Sequence, residues 1–188
     1  MRNSLSFNNY SMLVEREKAL DWYDWCLFAA GPKEAIQAVR EIEYRLHPTF
    51  PNPIRIVKDK NTRFALFSTG WGEFTVDIEV LFEDGERIER EYFLQLAEDN
   101  WPRFELPSGA DEDVRKVYLA LFHKKYRWRK LETAVRGSGM EELAVRGILE
   151  ELEAKNLVRR AYFKSIDNKE LWGATAVVGI SPRLELDR

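Results

Sequence analysis

Apolar and polar residues alternate along much of the first half of the chain. In the stretch Trp22 to Ala29, Tyr23, Trp25 and Leu27 share one face and Asp24 lies on the other. Ile42, Tyr44 and Leu46 alternate with Glu43 and Arg45, and Val76, Ile78, Val80 and Phe82 alternate with Asp77, Glu79 and Glu83. A period of two sends one set of side chains inward and the other into water, so these stretches are predicted to be half-buried strands with one wet face. Asp84-Gly85 separates the last of them from Ile88 to Leu94. Such a pair predicts a hairpin with a type I′ turn, whose two central residues both need positive φ. Gly31-Pro32 and Pro51-Asn52-Pro53 read as turns. Several short antiparallel strands with turns between them predict a β-sandwich.

The period changes after Gly109. From Asp111 to His123, Val114, Val117, Tyr118, Leu121 and Phe122 recur at helical spacing. Leu131, Val135 and a Gly137-Ser138-Gly139 turn follow, and Met140, Leu143, Ile148, Leu149 and Leu152 mark a further amphipathic helix. Val158 to Phe163 and Leu171 to Val178 read as a hairpin around Asp167-Asn168. Pro102, Pro107, Ser108 and Gly109 cluster in "DNWPRFELPSGADED", which places a junction there. Two domains are expected, residues 1–105 and residues 106–188. Helix, helix, Gly turn, helix and hairpin is the order of a winged helix-turn-helix. The segment "VRGSGMEELAVRGILEELEAKNLVRR" resembles that family.

Charge follows the same division. Residues 1–109 carry 13 basic and 19 acidic side chains, and the remainder carry 16 and 13, out of 29 and 32 in all. The single cysteine, Cys26, allows no internal disulfide and suits a reducing, cytoplasmic setting. The N-terminal "MRNSLSFNNYS" has no apolar core of a signal peptide. The uncharged run Leu171 to Pro182 is too short to span a bilayer, so no membrane partner is expected. There is no His-Glu-x-x-His, no phosphate loop with its lysine and no Gly-x-Ser-x-Gly, so the chain reads as non-enzymatic, without cofactor or metal.

Two knots of residues carry the more specific signal. "DWCLFAAGP", "EIEYRLHPTFPNPIR", "FALFSTGWGEF" and the alternating strand that follows resemble the YEATS domain family over about residues 20 to 97. The "LHPTFPNP" form is similar to its prokaryotic branch. The resemblance implies an immunoglobulin-like β-sandwich. In eukaryotic members, loops at one end form an aromatic slot for acetyl- or crotonyl-lysine on histones. Carried over by position, Phe50 and Trp71 sandwich the acyl group, with Gly70 and Gly72 flanking Trp71. Thr49 bonds the acyl amide, the Trp71 backbone N–H donates to its carbonyl, and His47 orients Thr49 or lines the wall. Phe74 packs below the slot, and Trp22 is a candidate for an additional aromatic. Neutral acyl-lysine suits a dry slot, whereas an ammonium there costs several kcal/mol without a partner.

Plainer roles stand beside these. His47 fits a structural histidine tying a loop to the sheet, Phe50 and Trp71 fit caps on the sandwich end, and Thr49 fits a turn residue bonding its own backbone. Trp25 is assigned to the core, and His123 to the C-terminal cap of its helix. For the second domain the alternative is a DNA-binding transcription regulator, with the sandwich sensing a ligand or mediating assembly. Lys124, Lys125, Arg127, Arg129, Lys130, Arg159 and Arg160 are then the candidate phosphate contacts. The helix after the Gly turn argues against this, because Glu141, Glu142, Glu150, Glu151 and Glu153 face only Arg146 on it. The main reading is an adaptor: an acylated protein or peptide in the first domain, a docked partner on the second, and oligomeric state open.

Overall fold

The computed structural model describes residues 4–17, 20–96 and 99–184, so the first three residues of the polar N-terminal stretch lie outside the described residues. The chain divides into two compact units, Met1–Trp101 with Pro182–Arg188, and Pro102–Ser181.

The first unit holds seven strands and one short helix: β1 (Ser6–Glu17), β2 (Leu20–Ala30), α1 (Lys33–Gln37), β3 (Val39–Arg45), β4 (Ile54–Val57), β5 (Leu66–Gly70), β6 (Phe74–Phe82) and β7 (Arg87–Leu94). They form two antiparallel sheets, ordered β1-β2-β5 and β4-β3-β6-β7. The predicted alternation fills the space between them. Trp25, Leu27 and Ala29 from β2 meet Ile42 and Tyr44 from β3 and Val76, Ile78, Val80 and Phe82 from β6 in one buried cluster.

Two expectations need correction, and one strand was not anticipated. β2 has no wet face: Asp24 to Ala29 are all buried. Its outer side chains are covered by the segment after β7, where Trp101 stacks on Phe67 at 6.2 Å and lies 6.3 Å from Tyr10. Asn100 Oδ1 fixes that cover by accepting the Ser11 N–H at 2.6 Å. β1, the longest strand, shows no clean alternation because Asn9 and Ser11 are buried polar residues. Asn9 is satisfied at the sheet edge, donating to Gln95 O and accepting from Tyr92 Oη, both at 2.8 Å. The β6–β7 hairpin is not a type I′ turn. Only Gly85 has positive φ, at 88°, and the Gly85 N–H closes a turn on Phe82 O at 3.0 Å while Phe82 N–H reaches Glu86 O. That is a three-residue connection with its one left-handed position at the glycine.

The second unit contains α2 (Glu112–Ala120), β8 (Arg129–Lys130), α3 (Leu131–Ser138), α4 (Glu142–Ala154), β9 (Val158–Arg160), β10 (Leu171–Ala174) and α5 (Thr175–Val178), with a sheet ordered β8-β10-β9. Asp111 caps α2 by accepting the Asp113 N–H at 2.9 Å. Val117, Leu121, Leu131, Ala134, Val145, Leu149 and Leu152 pack around Trp172. Here too the pattern overreaches. α2 ends before His123, whose Nδ1 instead accepts the Lys125 N–H at 3.1 Å and whose ring stacks on Tyr126. Gly137 and Ser138 belong to α3, so only Gly139 follows its end. Leu143 is 83% exposed. Residues Thr175–Val178 turn into helix rather than continuing the hairpin strand. Among the described residues no helix is long and apolar enough to cross a membrane.

One buried contact steadies the connection from β4 to β5. Arg63 and Phe64 both have positive φ, 56° and 55°, which non-glycine residues adopt only when the surroundings enforce it. The Phe64 N–H reaches Asp59 O at 2.9 Å, the Arg63 carbonyl accepts the Ala29 N–H at 2.9 Å, and the Phe64 carbonyl accepts the Tyr44 hydroxyl at 2.8 Å. Burial pushes the Tyr44 phenol well above its ordinary pKa. Removing that hydroxyl leaves a buried carbonyl short of a donor. Tyr44→Phe is predicted to destabilise the fold by about 1–2 kcal/mol, seen as a lower urea midpoint at unchanged slope. An unchanged midpoint removes Tyr44 from this role.

Candidate functional site

Two connections meet at one end of the sandwich. The first runs from Leu46 to Pro53 between β3 and β4. Its ends are joined by Leu46 N–H to Pro53 O at 2.8 Å, and an inner turn is closed by Phe50 N–H to His47 O at 3.0 Å. Asn52 takes φ 52°, and the Arg55 guanidinium donates to the carbonyls of Pro51 and Asn52, bracing the return of the loop. The second connection is Trp71–Glu73, between β5 and β6. The Glu73 carboxylate accepts the Leu96 N–H at 2.8 Å, tying this loop to the end of β7.

Between them lies a cleft of about 360 Å³. All six residues expected to form a slot line it: His47, Thr49, Phe50, Gly70, Trp71 and Gly72. Phe74 and Trp22 line it too, together with Pro51, Thr69 and Glu73, which the sequence reading did not single out. All three lie within the quoted motifs, Pro51 as a turn residue, but nothing in their residue type marked them as lining a slot. Thr69 is tied down by its hydroxyl, which donates to the buried Asp24 carboxylate at 2.8 Å.

The aromatic residues divide into a floor and an exposed wall. Phe50 lies 5.3 Å from Phe74 and 6.0 Å, edge to face, from the fully buried Trp25; Trp25 is also 6.3 Å from Phe74. Trp71 is 56% exposed and takes part in none of these ring contacts. The two loops have therefore not closed on each other.

On the polar side, His47 Nδ1 and Thr49 Oγ1 are 2.9 Å apart, and the Thr49 N–H approaches the same nitrogen at 3.4 Å. With Nδ1 as the acceptor, the hydroxyl proton points at the ring and the Thr49 oxygen lone pairs face away from it.

The two glycines of the second loop play different parts. Neither Gly70 nor Gly72 has positive φ, so neither is needed for a sharp turn. Gly70 is needed for packing, because a Cβ there would meet Phe50 Cζ at 3.3 Å. A Cβ on Gly72 would meet nothing within 4 Å.

The candidate phosphate contacts of the second unit do not form a free cationic surface. Arg159 is corrected outright: it is 4% exposed, and its guanidinium donates to Gly179 O and Val178 O at 2.9 and 2.7 Å while lying over the Trp128 ring. Arg160 lies over Trp172 and faces Glu150, Glu153 and Glu170 at 3.3–3.7 Å. Lys130 donates to Asp167 at 2.8 Å, which together with Ser165 lowers the Asp167 carboxyl to about 2. Arg127 and Arg129 are half-buried. Lys124 and Lys125 are exposed, with Lys125 Nζ 5.5 Å from the Tyr126 ring centroid. Among the described residues no cluster of His, Cys, Asp and Glu could hold a metal.

Part of the chain is similar in sequence to known proteins. Residues 23–95 match the family of the prokaryotic YEATS domain. The Eremothecium gossypii AF-9 homolog is 37% identical over 62 residues, covering 32% of this chain and 29% of that protein. The Saccharomyces cerevisiae AF-9 homolog is 35% identical over 68 residues, covering 34% and 29%. Human AF-9 is 33% identical over 81 residues, covering 39% and 14%. The chain thus spans less than a third of the length of these relatives. Among solved structures, the Yaf9 YEATS domain recognising a succinylated histone H3 peptide is 27% identical with a TM-score of 0.41, covering 49% of this chain and 71% of that one. The same domain bound to an acetylated histone H3 peptide is 25% identical with a TM-score of 0.41, covering 50% and 71%. Residues 23–95 of this chain are thus similar to the prokaryotic YEATS domain.

Proposed function

We propose that the cleft binds an acylated lysine, acetyl or crotonyl in type, on a protein partner, and that the chain is a non-enzymatic reader or adaptor in the cytoplasm. The observation that carries this is the open cleft itself, which sets an exposed Trp71 against a braced Phe50–Phe74 floor beside a His47–Thr49 pair. In this reading the planar acyl amide lies against the rings, and each ring contact contributes roughly 0.5–1.5 kcal/mol beyond area. The Thr49 oxygen accepts the amide N–H, held in that orientation by His47. The Trp71 backbone N–H donates to the acyl carbonyl. Gly70 lets Phe50 sit low enough to leave room. The match to the YEATS family over residues 23–95 supports the same reading.

The second unit follows as a docking module for another protein. Its order of helix, strand, two helices and a hairpin favours the winged-helix reading. The DNA-binding regulator is the weaker alternative, since Arg159 is enclosed and Arg160 and Lys130 are already paired with carboxylates.

Peptides carrying one acetyl- or crotonyl-lysine are predicted to bind the full chain, and the unmodified peptide to bind at least about tenfold more weakly. Trp71→Ala and Thr49→Ala are each expected to weaken binding on the order of tenfold by calorimetry. Absence of wild-type binding removes the reader function. Wild-type affinity in both Phe50→Ala and Trp71→Ala moves the slot elsewhere. For DNA, the logarithm of affinity is expected to stay flat against the logarithm of salt concentration, and a steep negative slope would restore the regulator reading.

A further inference from the structure

The second sheet of the sandwich has an edge that its own chain leaves unpaired. β4 pairs with β3 alone, in a register that sets Ile54 opposite Arg45 and Ile56 opposite Glu43. The bond from Leu46 N–H to Pro53 O fixes which residues of β4 face that neighbour. In an antiparallel ladder, residues that bond across it alternate with residues whose N–H and C=O point away. Pro53, Arg55 and Val57 therefore face β3, and the backbone groups of Ile54 and Ile56 face outward. Among the described residues no hydrogen bond reaches those outward groups.

The side chains of the same two residues are also exposed, Ile54 by 58% and Ile56 by 54%. Proteins commonly guard a sheet edge with charge. β7, the opposite edge of this sheet, is guarded in that way, with Arg87, Glu89 and Glu91 at three of its four exposed positions. β4 is not. The Arg55 guanidinium is turned to the carbonyls of Pro51 and Asn52, and Lys58, just past the strand, is held by Glu41 at 3.0 Å. An edge with apolar side chains beside free donors and acceptors is a template for an added strand.

This edge adjoins the cleft. Pro51 lines the cleft and precedes Ile54 by three residues, a span of at most about 10 Å. A segment paired with β4 and prolonged past Ile54 therefore runs toward the loop that carries His47, Thr49 and Phe50.

Resting on the acyl-lysine reading of the cleft, we infer that β4 is a second contact for the same partner, whose extended residues beside the acylated lysine add to the sheet as a further strand. Ile54 and Ile56 exchange main-chain hydrogen bonds with that strand. The partner residues opposite them are apolar and β-branched, because such side chains pack as cross-strand neighbours of isoleucine. Proline is excluded wherever the partner's N–H is needed. The partner is thus defined by a modified lysine and a short alternating apolar tract next to it.

The test titrates three acetyl-lysine peptides of equal length into the full chain. One carries Val-Thr-Val-Thr before the lysine, one carries it after, and the third has only glycine and serine around it. One tract peptide is expected to bind roughly fivefold or more tightly than the Gly-Ser peptide. N-methylation of its valines is expected to cancel the gain. By hydrogen exchange, the Ile54 and Ile56 amides are expected to be unprotected in the free chain and protected by the tract peptide, but not by the Gly-Ser peptide. With Ile54→Lys and Ile56→Lys together, the tract peptide is expected to fall to the Gly-Ser affinity. Both substitutions are at exposed positions, and the exchange measurement uses the wild-type chain. Binding of the Gly-Ser peptide with no gain from either tract, or a gain that survives the two substitutions, overturns the inference and leaves the acyl-lysine reading intact. Protection of Ile54 and Ile56 that rises with protein concentration alone assigns the edge to a second copy and overturns the inference as well. Equal binding of the tract peptides with unmodified lysine, or binding of none of the peptides, overturns both readings.

Discussion

The site depends on Phe50 being held where it is. Its ring leans on Trp25 and Phe74, at 6.0 and 5.3 Å, and it rests against the bare Cα of Gly70. Trp25 and Phe74 are in turn positioned by the β2 and β6 strands that build the core. The floor of the cleft is thus an extension of sandwich packing, and it resists deformation as a close-packed interior does. Trp71 has no such bracing. A tryptophan more than half exposed keeps a large apolar face in water, and covering that face is the driving force available to any guest. A rigid floor facing a poorly satisfied wall is an arrangement that packing alone does not require.

Much of this was legible in the sequence, and the failures have physical causes. Alternation placed Trp25 and Leu27 of β2 and the core residues of β3 and β6 correctly, because those positions are apolar, whereas Tyr23 on the same face of β2 is only half-buried. It missed β1 because Asn9 and Ser11 occupy buried positions there, and their satisfaction comes from Gln95, Tyr92 and Asn100, more than eighty residues away. Local pattern cannot register a partner so distant. The Asp84-Gly85 pair signalled a hairpin but not its turn type, since a glycine at the end of a three-residue loop and one at the centre of a two-residue loop read alike. The two motifs named seven of the cleft's residues: His47, Thr49, Phe50, Gly70, Trp71, Gly72 and Phe74.

Basic residues show the same limit from the other side. In sequence, Arg159 and Arg160 look like one pair of exposed cations beside a hairpin. Strand periodicity separates them. Arg159 turns inward to the carbonyls that end α5, where its charge satisfies backbone acceptors in a buried place. Arg160 turns outward, over Trp172 and among three glutamates. Lys130 and Lys169 likewise meet Asp167 and Glu132 across the sheet and its loop. Exposed pairs of this kind add little stability. They nevertheless lower the surface potential a polyanion would meet, so a count of basic residues overstates affinity for phosphate.

The acyl-lysine reading requires a ring-lined cleft with a carboxylate at its edge to favour an amide over an ordinary lysine ammonium. Aromatic faces attract cations, by about 0.5–2 kcal/mol depending on desolvation. Glu73 adds attraction, but its side chain is exposed and one of its oxygens already accepts the Leu96 N–H, so water and that bond both weaken its pull. Against these gains stands the loss of hydration of a compact ammonium, several kcal/mol when no close partner replaces the water. The ammonium also carries three donors, and the His47–Thr49 pair offers one outward-facing oxygen. An acyl amide brings a single N–H for that oxygen and a planar face for the rings, and its charge has already been removed by the modification. In that reading desolvation, the largest of these contributions, decides the selection, and the geometry of the pair then reads the amide's direction.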